Sequence, residues 1–268
     1  MGFIEIEFRR QDRDWNMTKL QAHDYYEIYC LLEGERRFFL EDRLFTLKEN
    51  CFVVVPPFSM HKTEGGRYRR INFYVSPDLL DGAENSFLKD CSRLGAFRLS
   101  EEKNAPLFEV LNQLVKREDL SGLHKKYALP LLRSLLYFLQ TGEGEAEGVQ
   151  CVSATEEASQ KNQADGLVLQ VVSYLNEHYR EKITLDFLAR KFFVSKNSLG
   201  RRFFKIMQCS VMDYCLTVRL NAAKHLLLST GKSVTEVGEA CGFLSANYFC
   251  LIFKRKVGIS PLNYRKKN

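Results

Sequence analysis

The last hundred residues repeat themselves. Sliding the segment from Leu167 onward along itself by 50 positions aligns Ser195 with Ser245, Asn197 with Asn247 and Phe203 with Phe253. The same shift aligns Lys205 with Arg255, Ser210 with Ser260 and Tyr214 with Tyr264. The apolar spacing is helical throughout, so the chain is expected to end in two copies of one small helical unit, joined by an apolar helix over 212–228.

The second copy states its boundaries plainly. Ser233-Val234-Thr235-Glu236 has the form of a capping box, and Gly242 stands where a helix ends at positive φ. Ser245 caps a second helix that buries Phe249, Ile252, Phe253 and Val257 before Gly258, and Ser260-Pro261 begins a final turn. In the first copy Thr184 caps a helix to Phe192, and Ser195 caps another that reaches Met207 with Leu199, Phe203 and Ile206 inward. Phe192-Phe193 replaces the glycine there, which predicts a looser turn. Two short helices across a turn, the second one basic, form a helix-turn-helix.

Charge says what such a unit meets. From Leu167 to Asn268 there are 17 Lys/Arg and 6 Asp/Glu, a net +11, whereas the whole chain of 268 residues carries only +6. The first 166 residues are therefore acidic and the tail is built for a polyanion. On the first copy Asn197, Arg201 and Lys205 fall opposite the core stripe. Arg and Asn bond guanine and adenine edges, and Lys holds phosphate. The candidate DNA-facing residues are Lys196, Asn197, Ser198, Arg201 and Lys205 in the first copy. In the second they are Ser245, Ala246, Asn247, Tyr248, Leu251 and Lys254. Ala246 and Leu251 can touch a thymine methyl but bond no base edge, which leaves Asn247 as the reader there.

The front of the chain reads as strands up to about Pro77. Tyr26–Leu32, Arg36–Leu40, Leu44–Leu47 and Cys51–Val55 are separated by turns at Glu33-Gly34-Glu35, Glu41-Asp42-Arg43 and Lys48-Glu49-Asn50. Short strands at this interval predict a sandwich or barrel. Helices follow over Ala105–Lys116, with Leu107, Phe108, Leu111, Leu114 and Val115 on one stripe, and over Tyr127–Leu139. The second carries Leu131, Leu132, Leu135, Leu136 and Leu139. That is a wide stripe for one helix on one sheet, and a homodimer seam is the expected use of the surplus. Residues 141–166 are rich in Gly, Glu, Ser and Gln and read as a flexible linker. The expected domains are 1–140, linker 141–166 and 167–268.

Other classes are set aside. No apolar run reaches the roughly 18 residues of a membrane helix, and the first fifteen residues lack a signal-peptide core. Eight cysteines stand without any C-x-x-C pair, which suits free thiols in a reducing cytoplasm. No nucleophile–base pair, phosphate loop or Gly-rich cofactor turn is present, so no catalytic residue, cofactor or bound metal is assigned.

Gly242-Phe243, Tyr248-Phe249, Phe253-Lys254, Gly258 and Ser260-Pro261-Leu262-Asn263-Tyr264-Arg265 closely resemble the signature of AraC/XylS-type transcriptional regulators. The first copy is similar through Thr184-Leu185, Leu188-Ala189, Ser195, Leu199, Phe203-Phe204-Lys205 and Tyr214. Arg219-Leu220 and Ala222-Ala223 resemble the family's linker helix. At the front, His23-Asp24-Tyr25-Tyr26-Glu27-Ile28, Leu32-Glu33-Gly34 and Val55-Pro56-Pro57 with His61 resemble its cupin-like sensor, with Asn50 where glycine is usual. The resemblance implies an α+β chain: a cupin-like β-barrel with dimerisation helices, then an all-α domain with two helix-turn-helix motifs. It implies a cytoplasmic bacterial regulator, on the nucleoid when bound to double-stranded DNA, acting as a homodimer and meeting RNA polymerase if it activates. The expected effector is small and polar, such as a carbohydrate. Its expected contacts are His23, Tyr25, Glu27, Tyr29 and His61, four of which (His23, Tyr25, Glu27 and Tyr29) would alternate onto one strand face. Two alternatives accompany this reading. One is a regulator without a ligand. The other is a metal-dependent cupin enzyme fused to a DNA-binding module, whose ligand set would be Gln21, His23, Glu27 and His61, with Gln21 in a histidine position.

Overall fold

The computed structural model describes residues 2–17, 20–100, 104–116, 123–140, 147–148, 151–152 and 163–267. They divide into two compact units, whose main boundary falls between Cys151 and Val152.

The first unit is an antiparallel sheet backed by helices. Its strands are β1 (Ile4–Gln11), β2 (Tyr26–Leu40), β3 (Arg43–Leu47), β4 (Cys51–Val55), β5 (His61–Val75) and β6 (Ala96–Arg98), with short β7 (Glu147–Gly148) and β8 (Cys151–Val152). The order is β1-β5-β2-β4-β6-β7, and β3 pairs β2 and β8. Helices α1 (Gly82–Leu94), α2 (Ala105–Lys116) and α3 (Leu123–Gln140) complete the unit. Because side chains alternate along a strand, β2 feeds two cores. Tyr26, Ile28, Cys30 and Leu32 pack with Leu88, Phe97, Leu107, Phe108, Leu111, Leu132, Leu135 and Leu136, the helix-covered side. Tyr29, Leu31 and Phe38 point the other way, onto Phe45, Leu47, Val53, Val55 and Tyr68.

Three expectations change here. Glu33-Gly34-Glu35 is no hairpin turn: β2 runs through it, with register shifts against β5 between Leu31 and Glu33 and between Gly34 and Arg36. Gly34 has φ +96°, and a Cβ there would strike the Arg67 carbonyl. On the partner strand Gly65, at φ +137°, pairs with Arg36, so the irregular positions of the two strands face each other and the pairing continues. The other two turns form as expected, with Glu41 and Asn50 at positive φ. Second, the α3 stripe is spent inside its own unit. Leu132, Leu135 and Leu136 are buried in the helix-covered core and Leu131 and Leu139 pack at its edge, because the helix lies over an apolar sheet face. The side chains of Leu114 and Val115 lie outside the described residues. Third, part of the expected linker is paired backbone: Glu147 and Gly148 ladder with Arg98 and Phe97. Backbone pairing needs no apolar side chain, so composition does not announce it. Cys151 and Val152 form β8, the last four residues of the expected linker, Gln163 to Gly166, open helix α4 (Gln163–His178), and the other residues of 141–162 lie outside the described residues.

From Gln163 onward the second unit is helical: α4 (Gln163–His178), α5 (Leu185–Lys191), α6 (Lys196–Met207), α7 (Val211–Ser229), α8 (Val234–Ala240), α9 (Ala246–Val257) and α10 (Pro261–Lys267). Every expected cap is made. Thr184, Ser195, Ser233 and Ser245 each accept from the backbone N–H three residues on, and Glu236 returns the bond to Ser233. The duplication is visible as repeated packing. Phe203 meets Tyr214 edge-on at 5.7 Å, and 50 residues later Phe253 meets Tyr264 at 5.6 Å.

The first turn is not looser than the second. Val194 N–H bonds the Ala189 carbonyl at 2.9 Å, and Phe243 N–H bonds the Gly238 carbonyl at 3.0 Å, the same helix-ending bond in both. Phe193 takes the left-handed conformation itself, at φ +54°, where Gly242 has φ +80°. The difference is one extra residue, Leu244, before the second cap. Phe193 is 95% exposed, so nothing crowds its side chain. Left-handed backbone costs a non-glycine about 1–2 kcal/mol, and glycine returns about 0.5–1 kcal/mol of that as chain entropy. Phe193→Gly is therefore expected to leave stability within about 1.5 kcal/mol of wild type, on the stabilising side, by denaturant titration.

Candidate nucleic-acid interface and ligand-binding face

Helices α6 and α9 each turn one apolar stripe inward and leave the opposite stripe in solvent. On α6, Leu199, Phe203, Ile206 and Met207 are buried, while Lys196, Asn197, Arg201 and Lys205 are exposed and Ser198 is half-buried. Lys196 Nζ lies 2.7 Å from Asp186 Oδ1, a surface pair that ties α6 to α5. Arg201 Nε donates to the Asn197 carbonyl at 3.3 Å, so its guanidinium lies along its own helix and swings out at little cost. On α9, Phe249, Ile252 and Phe253 are buried. Asn247, Tyr248, Leu251 and Lys254 are exposed, and Ala246 is half-buried. The Ser245 hydroxyl is occupied by the Tyr248 N–H as a cap, so it holds the helix start in place. Arg202, Arg255 and Lys256 are exposed bases beside these stripes that the sequence reading did not single out. The longest helix, α7, links the copies. Arg219 braces it, donating to the Tyr179 carbonyl at 2.6 Å and the Glu181 carbonyl at 2.7 Å.

In the first unit, Glu27 on β2 is the hub of a buried polar group. His23 Nε2 lies 3.1 Å and His61 Nε2 3.2 Å from its Oε2, and Asn72 Nδ2 donates to its Oε1. His23 and Tyr25 do not share the strand alternation of Glu27 and Tyr29. They lie before β2, ring on ring at 3.9 Å, and His23 reaches Glu27 from that segment. His61 opens β5. Each imidazole turns Nδ1 to a backbone carbonyl, His23 to Tyr25 at 2.9 Å and His61 to Ser59 at 3.2 Å. A carbonyl only accepts, so both Nδ1 atoms carry hydrogen. If Nε2 carries one too, the ring is cationic and donates to Glu27. If it does not, three lone pairs converge, and these three ligand atoms lie within 4.8 Å of one another. Two imidazoles and a carboxylate, each ring braced through its other nitrogen, are a donor set suited to a divalent transition metal.

Burial pushes the Glu27 carboxyl up, but the hydrogen bonds and charge of His23 and His61 outweigh it and hold it well below the usual range. The Tyr25 phenol is pushed up to about 12, first by burial and then by Glu27 and Asp24. Burial raises Tyr29 as well, so both remain hydrogen-bond donors. The network continues where the sequence reading stopped. Asn72 also donates to Tyr74 Oη at 3.0 Å, Tyr74 donates to Glu7 at 2.8 Å, and Arg70 Nη2 reaches the same carboxylate at 2.7 Å. Arg70, Asn72 and Tyr74 alternate along β5, and that period-two spacing was their signal in the sequence.

The helix-turn-helix domain family matches residues 188–267, and the AraC-like ligand binding domain family matches residues 3–136, half of the chain. The chain belongs to the AraC family. It is similar to the uncharacterized HTH-type transcriptional regulator YdiP of Escherichia coli, 36% identical over 103 residues, which are 38% of this chain and 34% of that protein. The chain thus spans about a third of that relative's length. The HTH-type transcriptional activator RhaS of Yersinia pseudotuberculosis is 24% identical over 91% of this chain and 88% of its own. An AraC-type regulator structure from Chromobacterium violaceum is 29% identical, with TM-score 0.37, over 40% of this chain and 96% of that one. YdiP and RhaS both carry the names of transcriptional regulators. No helix among the described residues is long and apolar enough to cross a membrane.

Proposed function

We propose that this AraC-family chain is a sequence-specific double-stranded DNA-binding transcriptional regulator whose N-terminal unit binds a small polar effector. The observation that carries the reading is the α6 stripe. Asn197, Arg201 and Lys205 stand in solvent on the face opposite a fully packed core, in a unit built twice. The effector would lie on the inward sheet face among His23, Tyr25, Glu27, Tyr29 and His61, where buried polar groups converge. A carbohydrate is the class those groups suggest on their own. The effector would bias an equilibrium between sensor states and so change how the DNA-binding domains are presented. The domain limits proposed are 1–140, 141–166 and 167–268. The chain would act in the bacterial cytoplasm as a homodimer, for which Val110, Tyr127 and Tyr137 are exposed apolar residues on α2 and α3 among the described side chains. RhaS is named an activator, and an activating role here would add contact with RNA polymerase.

Base reading and phosphate contact separate experimentally. Arg201→Ala is expected to relax base preference in one half of the operator, by about 1–3 kcal/mol of discrimination. Lys254→Ala should weaken binding to all sequences equally and flatten the slope of log K against log[salt] by about one unit. Binding-site selection on the full chain at fixed salt is the measurement. An unchanged motif in Arg201→Ala alongside a rewritten half-site in Leu251→Ala would move specificity to the second copy.

A further inference from the structure

The two repeated helices align, yet their outer faces are chemically different. The shift of 50 residues that pairs Asn197 with Asn247 also pairs Lys196 with Ala246, Ser198 with Tyr248 and Arg201 with Leu251. Three polar side chains of α6 thus become an alanine, an aromatic and an aliphatic side chain in α9. Leu251 is 68% exposed and Tyr248 52%. Asn247, Leu251 and Lys254 stand at i, i+4 and i+7, on the side away from buried Phe249, Ile252 and Phe253. Tyr248 flanks Leu251 one turn earlier. Nearer the C-terminal end the exchange runs the other way, with exposed Phe204 of α6 aligned with Lys254.

Apolar side chains exposed together inside a charged rim mark a contact surface, and the rim says what makes the contact. Helix α9 contains no Asp or Glu, while Lys254, Arg255 and Lys256 are exposed in its last turn. A partner that fits is anionic around an apolar floor. Duplex DNA has that form wherever thymine falls, because phosphates border the major groove and the thymine C5 methyl projects into it. A recognition helix presents its N-terminal residues to the bases. In α9 those residues are Ala246, Asn247, Tyr248 and Leu251, ahead of the three cations.

We infer that α9 reads its half of the operator by covering thymine methyl groups with Leu251 and Tyr248, while Asn247 bonds a base edge beside them. Helix α6, with Arg201 at the position of Leu251, reads guanine by hydrogen bonds. The operator is then asymmetric within the footprint of one chain. One half holds guanine for Arg201, and the other holds thymines for Leu251 and Tyr248. This rests on reading the second unit as a DNA-binding domain, and it adds the class of sequence that each helix takes. Burying one methyl group changes affinity about fourfold.

The test takes the full chain and the operator that binding-site selection returns, and replaces each thymidine in turn by deoxyuridine. Deoxyuridine keeps every hydrogen-bonding group of thymidine and lacks only the C5 methyl, so it reports methyl contact alone. At one or more thymines, wild type is expected to bind the substituted duplex about fourfold more weakly at fixed salt. Those losses should vanish in Leu251→Ala or in Tyr248→Ala and persist in Arg201→Ala. Both α9 side chains are exposed, so the variants should unfold at the wild-type temperature, and the wild-type scan stands without them. A scan with no loss at any thymine, or an operator without thymine, overturns the inference. Losses that persist in both α9 variants place the methyl contact on other residues and overturn it too. If Leu251→Ala binds the same DNA with wild-type affinity but no longer supports transcription in vitro, the face belongs to a protein partner and the inference falls. Selection that returns no motif overturns the regulator reading and the inference together, whereas a motif without methyl effects overturns the inference alone.

Discussion

Leu135→Glu is expected to unfold the N-terminal unit rather than to split a dimer into folded monomers. Leu135 is 1% exposed and sits in the core that β2, β5 and the three helices share. Removing a buried leucine side chain costs about 2–5 kcal/mol. A carboxylate in its place would lie among buried Leu, Phe and Ile side chains, and adds several kcal/mol more or drives its own protonation. The sum is roughly the whole stability of an ordinary domain. Circular dichroism should show the sheet transition lost or strongly lowered, and sedimentation should show no folded monomer in its place. Leu139→Glu, at the edge of the same core, should cost less. A cooperative, folded monomer from Leu135→Glu would return the stripe to an intersubunit role.

Gly242→Ala is expected to destabilise the helical unit by about 3 kcal/mol or more. About 1–2 kcal/mol is the penalty for a left-handed residue with a side chain. The remainder is contact: a Cβ at Gly242 would stand 2.6 Å from the Arg180 carbonyl oxygen and 2.8 Å from the Arg180 Cα. Those are backbone atoms, which cannot rotate away, so the segment before α5 must shift. A shift of 3 kcal/mol corresponds to a Tm fall on the order of 10 °C or more in a unit of about a hundred residues. Thermal unfolding followed at the helical signal reads it, and DNA affinity should fall with it because α9 is aimed by this turn. Phe193 occupies the equivalent position with the same φ sign and tolerates a large side chain. The contrast between the two sites is therefore a test of crowding, not of turn type. Equal responses to substitution at both would remove the Arg180 contact as the cause.

The helical half was legible because its signals are local. A Ser or Thr cap acts within three residues, an apolar stripe within one helix, and a charge stripe needs only its own periodicity. Hence the caps at Thr184, Ser195, Ser233 and Ser245, the inward stripes of α6 and α9 and the exposed Asn197, Arg201 and Lys205 all follow from spacing. Resemblance then extended the reading to the family. The sheet half was legible only as strands and helices. Whether Glu33-Gly34-Glu35 turned a hairpin or bent one strand depended on Gly65, 31 residues away, matching the bend.

What the sequence by itself determined was the duplication, the two capped helix pairs, the polarity of their outer faces and the presence of a strand-rich, acidic front. What only the tertiary structure decided was where long-range partners meet. The α3 stripe became core because a sheet face lay under it. Gly242 became obligatory because Arg180 passes against it, while Phe193 stayed free. Arg36, Arg70, Tyr29 and Tyr68 meet inside the first unit because β2 and β5, read separately as ordinary strands, pair in a register that gathers their polar residues. Spacing along a chain fixes which face a side chain takes, but burial and charge balance depend on what the fold brings to that face.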